Sequence, residues 1–515
     1  MNGAESLIRS FTAAGVNVCF ANPGTSEMHL VQAVDAVPEM RAVLSLFEGV
    51  CTGAADGYGR MTGIPATTLL HLGPGLGNGI ANLHNARRAS TPVINLIGNH
   101  ALYHMDYDAP LTSDIGTLAK NVSSWVKGDS TASSLATDGM LALQFALTAK
   151  PGSAGQISTM IIPADACWNE EGAAASYINA PERRKVDDKV VSEVAHLLDN
   201  NSMILINSDG LSIEARIAAN RISEKTGCRV SMTPFPSRVD GGAGLPGCER
   251  LPYFPEQVMA ALNGVEKLIL AGADSPVSFF AYPNTPSVLV PENCAVVRLS
   301  ESEEDTTQAL ESLADFLGVS GGDYSINQLA DLERPTGELS TRTISAAIAA
   351  LIPEGAILCG DSGGGGAAFG PCQSARPNTW LNLTGGSIGQ GGPVAVGAAV
   401  ACPDRPVLAL LGDGASMYTN QSFWTQAREG LNVTTVIFNN SKYGILETEY
   451  LRLGVNEVGE RAADLFDLSR PSIDFVQLGN SMGVPGQAVE TAEEFVVALE
   501  RSLSESGPSL IEARL

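Results

Sequence analysis

Residues 406–444 read PVLALLGDGASMYTNQSFWTQAREGLNVTTVIFNNSKYG, and their order sets the fold: an apolar strand, a glycine turn, a helix and a second apolar strand. Two successive strands joined through a helix lie side by side and parallel, so their carboxyl ends share one edge of the sheet. The first, PVLALL, ends in Gly412-Asp413-Gly414, and the second, VTTVIF, in Asn439-Asn440-Ser441-Lys442-Tyr443-Gly444. Glycines at a strand-to-helix turn let backbone N–H groups approach a phosphate closely, and the helix N-terminus adds a favourable dipole. Asp413 would repel the same phosphate unless a cation sits between them. Asp413 and Asn440 therefore read as hard oxygen ligands for one Mg2+, with phosphate oxygens filling other octahedral positions.

The same alternation extends outward through the chain. From 15 to about 165 the runs VNVCFA, AVLSLF, PATTLLHL, TPVINLIG and STMIIP alternate with helical stretches. A second block carries SMILINS, VEKLILAG and CAVVRLS, and a third GAILCG, PVLALLGDG, VTTVIFNN and PSLIEARL. Near-continuous apolar strands separated by helices point to parallel sheets covered on both faces. The polar stretches 164–186 and 320–339 read as linkers. The expected architecture is α/β, with three doubly wound parallel-sheet domains over 1–170, 186–320 and 338–515, which suits a chain of 515 residues. Blocks one and three are candidates for one fold used twice.

Thirty-one basic and 56 acidic residues leave a formal charge of −25. Such a surface repels phosphate backbones and anionic lipid, so neither nucleic acid nor a membrane is an expected partner. Nine cysteines, an odd number with no CxxC pair, suit reduced thiols and neither a disulfide framework nor a zinc site. The opening MNGAESLIRSFTAAGV reads as an amphipathic helix without the basic start and apolar run of a signal peptide. No stretch approaches the roughly 18 apolar residues of a spanning helix. A soluble, cytoplasmic protein is expected.

In the first block AVLSLF leads into EGVCTGAADGYGR (48–60), which puts Glu48 at the end of an apolar strand and the head of a small-residue helix. Taken alone, such an acid is a helix N-terminal carboxylate stabilised by the dipole. The run E…GAADGYGRMTG, followed by PATTLL and HLGPGLGNG, resembles the pyrimidine-binding domain of thiamine-diphosphate enzymes. The distant GDG…NN segment independently resembles the diphosphate-binding motif of the same family.

The resemblance implies pyrimidine-binding, central and diphosphate-binding domains, with thiamine diphosphate and Mg2+ as cofactors. Asp413, Asn440 and the Lys442 carbonyl would bind the metal. Gly412, Gly414, Ala415, Ser416, Tyr443 and Gly444 would line the diphosphate site, helped by Gly363 and Gly364 in the block's first strand–helix turn. In GGSIGQ (385–390) the Gly386 carbonyl would receive the 4′-amino group, and Ile388 falls where the family places an apolar wedge. Glu48 would bond the pyrimidine N1′ and favour the imino tautomer, whose nitrogen takes the thiazolium C2 proton. Family members build each site from two subunits, so Glu48 and Asp413 are expected to meet across a homodimer interface, within a homotetramer. Some members bind FAD in the central domain; it is the less expected cofactor here, with no residue deciding it.

Within the family the chain most resembles benzoylformate decarboxylase over essentially its whole length. Asn22-Pro23-Gly24-Thr25-Ser26-Glu27 matches the NPGS-type loop, placing Asn22, Pro23 and Gly24 at the cofactor and Ser26 at the substrate carboxylate. His71 matches the first active-site His, with Asn78 at the right distance after it. Leu111-Thr112 falls where acetolactate synthases carry Gln-Glu. One position departs: the second active-site His aligns with Ala281 in VSFFAYPNTPSVLVP. Phe279, Phe280 or Tyr282 could shape a different pocket there, and His100 or His104 could substitute as proton donor.

The expected reaction is decarboxylation of a small 2-oxo acid through a C2 ylide and an enamine. Loss of a protonating His would lengthen the enamine's life, which makes an acetolactate-synthase-like carboligase the leading alternative. A non-catalytic cofactor-binding relative is the alternative of another class; retention of Glu48, Asp413 and Asn440 speaks against it. Two motifs mislead. Gly360-Asp361-Ser362-Gly363-Gly364 imitates the serine-protease GDSGG, but in a strand-to-helix turn of an α/β block. Gly363–Ala368 satisfies GxGxxA without the ribose-binding acid about 20 residues on.

Overall fold

Each of the long apolar runs becomes a strand. In the computed structural model, which describes residues 1–361 and 363–515, the first block holds β1 (Val18–Asn22), β2 (Arg41–Leu44), β3 (Ala66–Leu70), β4 (Val93–Asn99), β5 (Trp125–Lys127) and β6 (Ile157–Pro163). The middle stretch holds β7 (Ser202–Ile206), β8 (Arg229–Met232), β9 (Arg238–Gly241), β10 (Glu249–Arg250), β11 (Lys267–Ala271) and β12 (Ala295–Ser300). The last holds β13 (Ala356–Gly360), β14 (Asn378–Leu381), β15 (Val407–Gly412), β16 (Val433–Asn439), β17 (Gly486–Val489) and β18 (Ser509–Arg514). Ser362 of the GDSGG imitation lies outside the described residues.

Three sheets form, in the orders β2-β1-β3-β4-β6-β5, β10-β8-β7-β11-β12 and β17-β18-β16-β15-β13-β14-β9. Renumbering β13–β18 as one to six makes the third order, read backwards and without β9, identical to the first. Blocks one and three are thus one topology used twice. All pairings in the first two sheets are parallel. In the third, β9 alone pairs antiparallel, laying Arg238–Gly241 of the middle stretch along β14.

Strand residues alternate faces, and the third sheet uses this to serve two cores. Val407, Ala409 and Leu411 belong to the same core cluster as Phe20, Leu70 and Ile97 of the first block. Leu408 and Leu410 belong to the same core cluster as Ile204, Ile269 and Leu310 of the middle block. The first and third blocks close on each other through helices Glu48–Thr62 and Gly391–Ala401. A Cβ on Gly57 would sit 2.1 Å from the Val394 carbonyl oxygen, and one on Gly397 1.9 Å from that of Ala54. The glycine- and alanine-rich sequence is what lets these two backbones touch. Beside this contact Arg60 is buried: it pairs with Asp56 at 2.6 Å and donates to the carbonyls of Ser237 (3.2 Å) and Asn382 (2.6 Å), so one guanidinium ties all three blocks.

One local expectation is refined. The helix read over 415–430 is two pieces, Asp413–Ser416 and Gln421–Glu429; between them the Thr419 hydroxyl donates to the Gly389 carbonyl at 2.8 Å. Among the described residues no helix is long and apolar enough to cross a membrane.

Candidate active site

Parallel pairing of β15 with β16 sets Gly412 opposite Phe438, so Asp413 and Asn440 emerge at one sheet edge. Asp413 is buried; its Oδ1 accepts the Gly414 N–H at 2.8 Å, while Oδ2 is buried without a partner. Burial raises its carboxyl from its ordinary value, against the lowering pull of the N–H groups of Gly414, Ser441, Lys442 and Asn440. Asn440 is exposed, its Oδ1 accepting the Lys442 N–H at 3.2 Å. The Lys442 ammonium is occupied by Glu447 at 2.7 Å, and its carbonyl accepts from Gly444 at 3.0 Å with one lone pair left over. No three His, Cys, Asp or Glu side chains converge among the described residues. An orphaned carboxylate oxygen beside an amide and a carbonyl oxygen is instead a donor set that fits Mg2+ completed by phosphate oxygens. Gly414 is required here, since a Cβ would come within 2.2 Å of the Tyr443 ring. Ala415 and Ser416 are buried in the same turn, and Gly364 packs against the Phe438 ring.

The turn 385–391 lies beside that edge, with Gly386 at φ +77° and Gly389 at φ +94°. Asp361, fully buried, holds it: Oδ2 accepts the N–H groups of Gly389 and Gly391, both at 2.9 Å. Its Oδ1 has no partner, and desolvation pushes the carboxyl up to about 7. From the first block Asn85 donates to the Ser387 carbonyl at 2.7 Å and accepts the Ser387 N–H at 3.2 Å. Half-buried Ile388 follows, and the Phe279 ring covers Gly386, where a Cβ would meet it at 2.5 Å.

On the first sheet Glu48 begins its helix, buried, with Oε2 accepting from Asn78 Nδ2 at 2.9 Å. His71 follows β3 and Asn22 ends β1, with Asn22 paired opposite Leu70. The loop after Asn22-Pro23 packs onto the imidazole, for a Cβ on Gly24 would lie 2.2 Å from His71 Nδ1. Glu27, fully buried, gathers the group: Oε2 accepts the Gly24 N–H (2.7 Å) and faces His71 Nδ1 (2.8 Å), while Oε1 accepts the Ser26 hydroxyl (2.6 Å). Ser26 Oγ also lies 3.3 Å from His71 Nδ1. Glu48 and His71 flank Gly75, whose Cβ would be 3.2 Å from Glu48 Oε1 and 3.5 Å from His71 Cβ.

Other sequence candidates fall elsewhere. His100 and His104 contact each other at 5.4 Å between ring centroids, with His104 exposed. Ala281 and Leu111 are exposed, and the Tyr282 hydroxyl donates to Glu449 at 2.9 Å. Among the described residues no hydrogen bond or ion pair joins Glu48 to Asp413 or Asn440. Sequence reasoning gave Glu27 no role of its own and took Asp361 for part of a misleading motif. The one available signal for Glu27 was its place three residues after Gly24 at the start of a short helical turn, a capping pattern.

Residues 1–119 match the family described as "Thiamine pyrophosphate enzyme, N-terminal TPP binding domain", and 359–513 match "Thiamine pyrophosphate enzyme, C-terminal TPP binding domain". A Mycobacterium tuberculosis protein named "Putative acetolactate synthase large subunit IlvX" is 48% identical over 516 residues, covering 99% of this chain and 98% of its own. Benzoylformate decarboxylase of Pseudomonas aeruginosa is 27% identical, over 97% of this chain and 96% of its own. In fold, the chain superposes on a thiamine diphosphate-dependent 4-hydroxybenzoylformate decarboxylase of Rhodococcus jostii RHA1 with a TM-score of 0.83 at 24% identity, covering 100% of this chain and 99% of that one. The two matched segments contain the two clusters described above, and kinship at 48% identity runs the full length of the chain: the protein belongs to the thiamine pyrophosphate enzymes.

Proposed function

We propose that the protein is a Mg2+-dependent lyase that decarboxylates a 2-oxo acid. The observation that carries this reading is the shared rim: Glu48 and His71 stand on either side of Gly75, with Ser26 and Asn78 beside them. Bound thiamine diphosphate supplies a carbon nucleophile for the 2-oxo group and a sink for the electron pair left when CO2 departs. The chain's own groups do the rest. Asp413, Asn440 and the Lys442 carbonyl would hold the Mg2+, and Glu48 would hydrogen-bond the pyrimidine ring. Ser26 would turn its hydroxyl from Glu27 toward the substrate carboxylate, and His71 would exchange a proton through Nε2.

Exposed apolar side chains border both clusters: Leu46 beside Glu48, Met417 and Tyr418 beyond Asp413, and Ile445 and Leu446 beyond Gly444. They favour a second copy of the chain closing the site, hence a homodimer-built active site within a homotetramer, and the nine free cysteines suit the cytoplasm.

Carboligation is the second reading. It is favoured by Ala281 standing where a second His is expected, and by the acetolactate-synthase name of the 48% identical relative. Incubation with single 2-oxo acids, following CO2, aldehyde and acyloin, separates the two. Free aldehyde with CO2 is expected; acyloin without free aldehyde overturns the lyase reading.

A further inference from the structure

We propose that Glu27 is a positioning residue for proton transfer: it keeps the His71 proton on Nδ1, so that Nε2 is the atom facing the reaction. The role rests on the decarboxylase reading, but the geometry stands without it. Both Glu27 oxygens already act as acceptors, Oε2 for the Gly24 N–H and Oε1 for the Ser26 hydroxyl, so the ring nitrogen 2.8 Å from Oε2 is assigned as the donor. No hydrogen bond among the described residues engages Nε2, and the His71 side chain keeps 23% of its surface open. Nε2 is therefore the free end of the imidazole.

The site is built around the carboxylate. Glu27 is 0% exposed and takes three donors, one each from Gly24, Ser26 and His71. On the far side β4 presents Gly98, where a Cβ would lie 1.8 Å from Glu27 Oε1, so only glycine leaves room for the acid. Cys167 is a further titratable neighbour. Its thiol is pushed up to about 12, first by burial and then by the charge of Glu27, so it stays protonated and does not compete. The imidazole is thus fixed in tautomer and orientation by a group that never meets the substrate. This is how a buried acid behind a histidine raises its value as an acid–base catalyst.

The test begins with 15N-histidine-labelled protein without cofactor, in which a His71→Asn variant assigns one of six histidines. The 15N shifts are expected to show His71 protonated at Nδ1; a bare Nδ1 overturns the proposal, whatever the enzyme's reaction. In the loaded enzyme, Glu27→Gln keeps the shape but puts an N–H2 among donors, and kcat is expected to fall about 10²-fold. Its affinity for thiamine diphosphate should stay at the wild-type level, a split that general loosening of the fold would not give. Wild-type kcat in Glu27→Gln overturns the proposal. A wild-type enzyme that releases no CO2 from 2-oxo acids overturns the decarboxylase reading instead, and the 15N spectrum still decides Glu27 even where the Gln variant does not fold.

Discussion

Asp361 keeps a proton that most aspartates lose. Its carboxyl is raised from 3.8 to about 7 by burial, so the folded chain holds the proton over a range where the unfolded chain has released it. Stability contributed by this group is present in full below the unfolded value and is lost as pH climbs from there to about 7. Asp361→Asn would retain the two N–H bonds from Gly389 and Gly391 and place an amide where Oδ1 has no partner. The fall in Tm between about pH 5 and about pH 7 should then be shallower than in wild type, measured by calorimetry without cofactor. Asp413 slopes the same way, so the difference between variant and wild type isolates Asp361. At Glu48 the expectation is chemical: Glu48→Gln should cut turnover about 10³-fold. Mg2+-dependent cofactor binding should persist, because Asp413 and Asn440 are untouched, and titration calorimetry checks it. Glu48, His71, Asp413 and Asn440 stood out in the sequence as candidates because each sits at a strand end inside a spaced motif. Glu27 and Asp361 act on backbone N–H groups and on a histidine 44 positions away, which a linear pattern does not encode.

Between helices Glu48–Thr62 and Gly391–Ala401 the spacing leaves no room for a side chain at Gly57. Gly57→Ala would gain up to about 1 kcal/mol of helix propensity. Against it stands a Cβ 2.1 Å from a backbone oxygen, an overpacking that costs about 1–3 kcal/mol or more. The clash wins, and the midpoint of chemical denaturation should fall; an unchanged midpoint would mean the helices do not pack this way in solution. Elements were readable in proportion to their apolar length. Strands such as Val93–Asn99 and Ile157–Pro163, buried throughout, announce themselves. Trp125–Lys127, Glu249–Arg250 and Gly486–Val489 are short and partly exposed, and owe their extended state to a neighbouring strand. The break after Ser416 was invisible for a similar reason: it answers to Gly389, not to its own residues.

At the scale of the molecule, duplication sets the two candidate clusters on equivalent sheet edges. β3 and β15 occupy the same place in the two sheets, and each is followed at its carboxyl end by a candidate site residue, His71 in one and Asp413 in the other. Under the proposed function, one scaffold edge would handle protons in the first copy and a cation in the second. The copies differ in β9, which the third sheet borrows from the middle stretch. A fragment beginning at residue 338 would hold Asp413, Asn440 and Lys442 yet lack that strand. Its Asn378–Leu381 backbone would then be a bare row of donors and acceptors beside buried Trp380. Uncovered strands recruit one another, so this piece should scatter light and sediment as aggregates, whereas a version carrying residues 238–241 on a return loop should not. Dissecting the protein into portable modules therefore has to follow the weave of the sheet, and the linkers are the wrong place to cut.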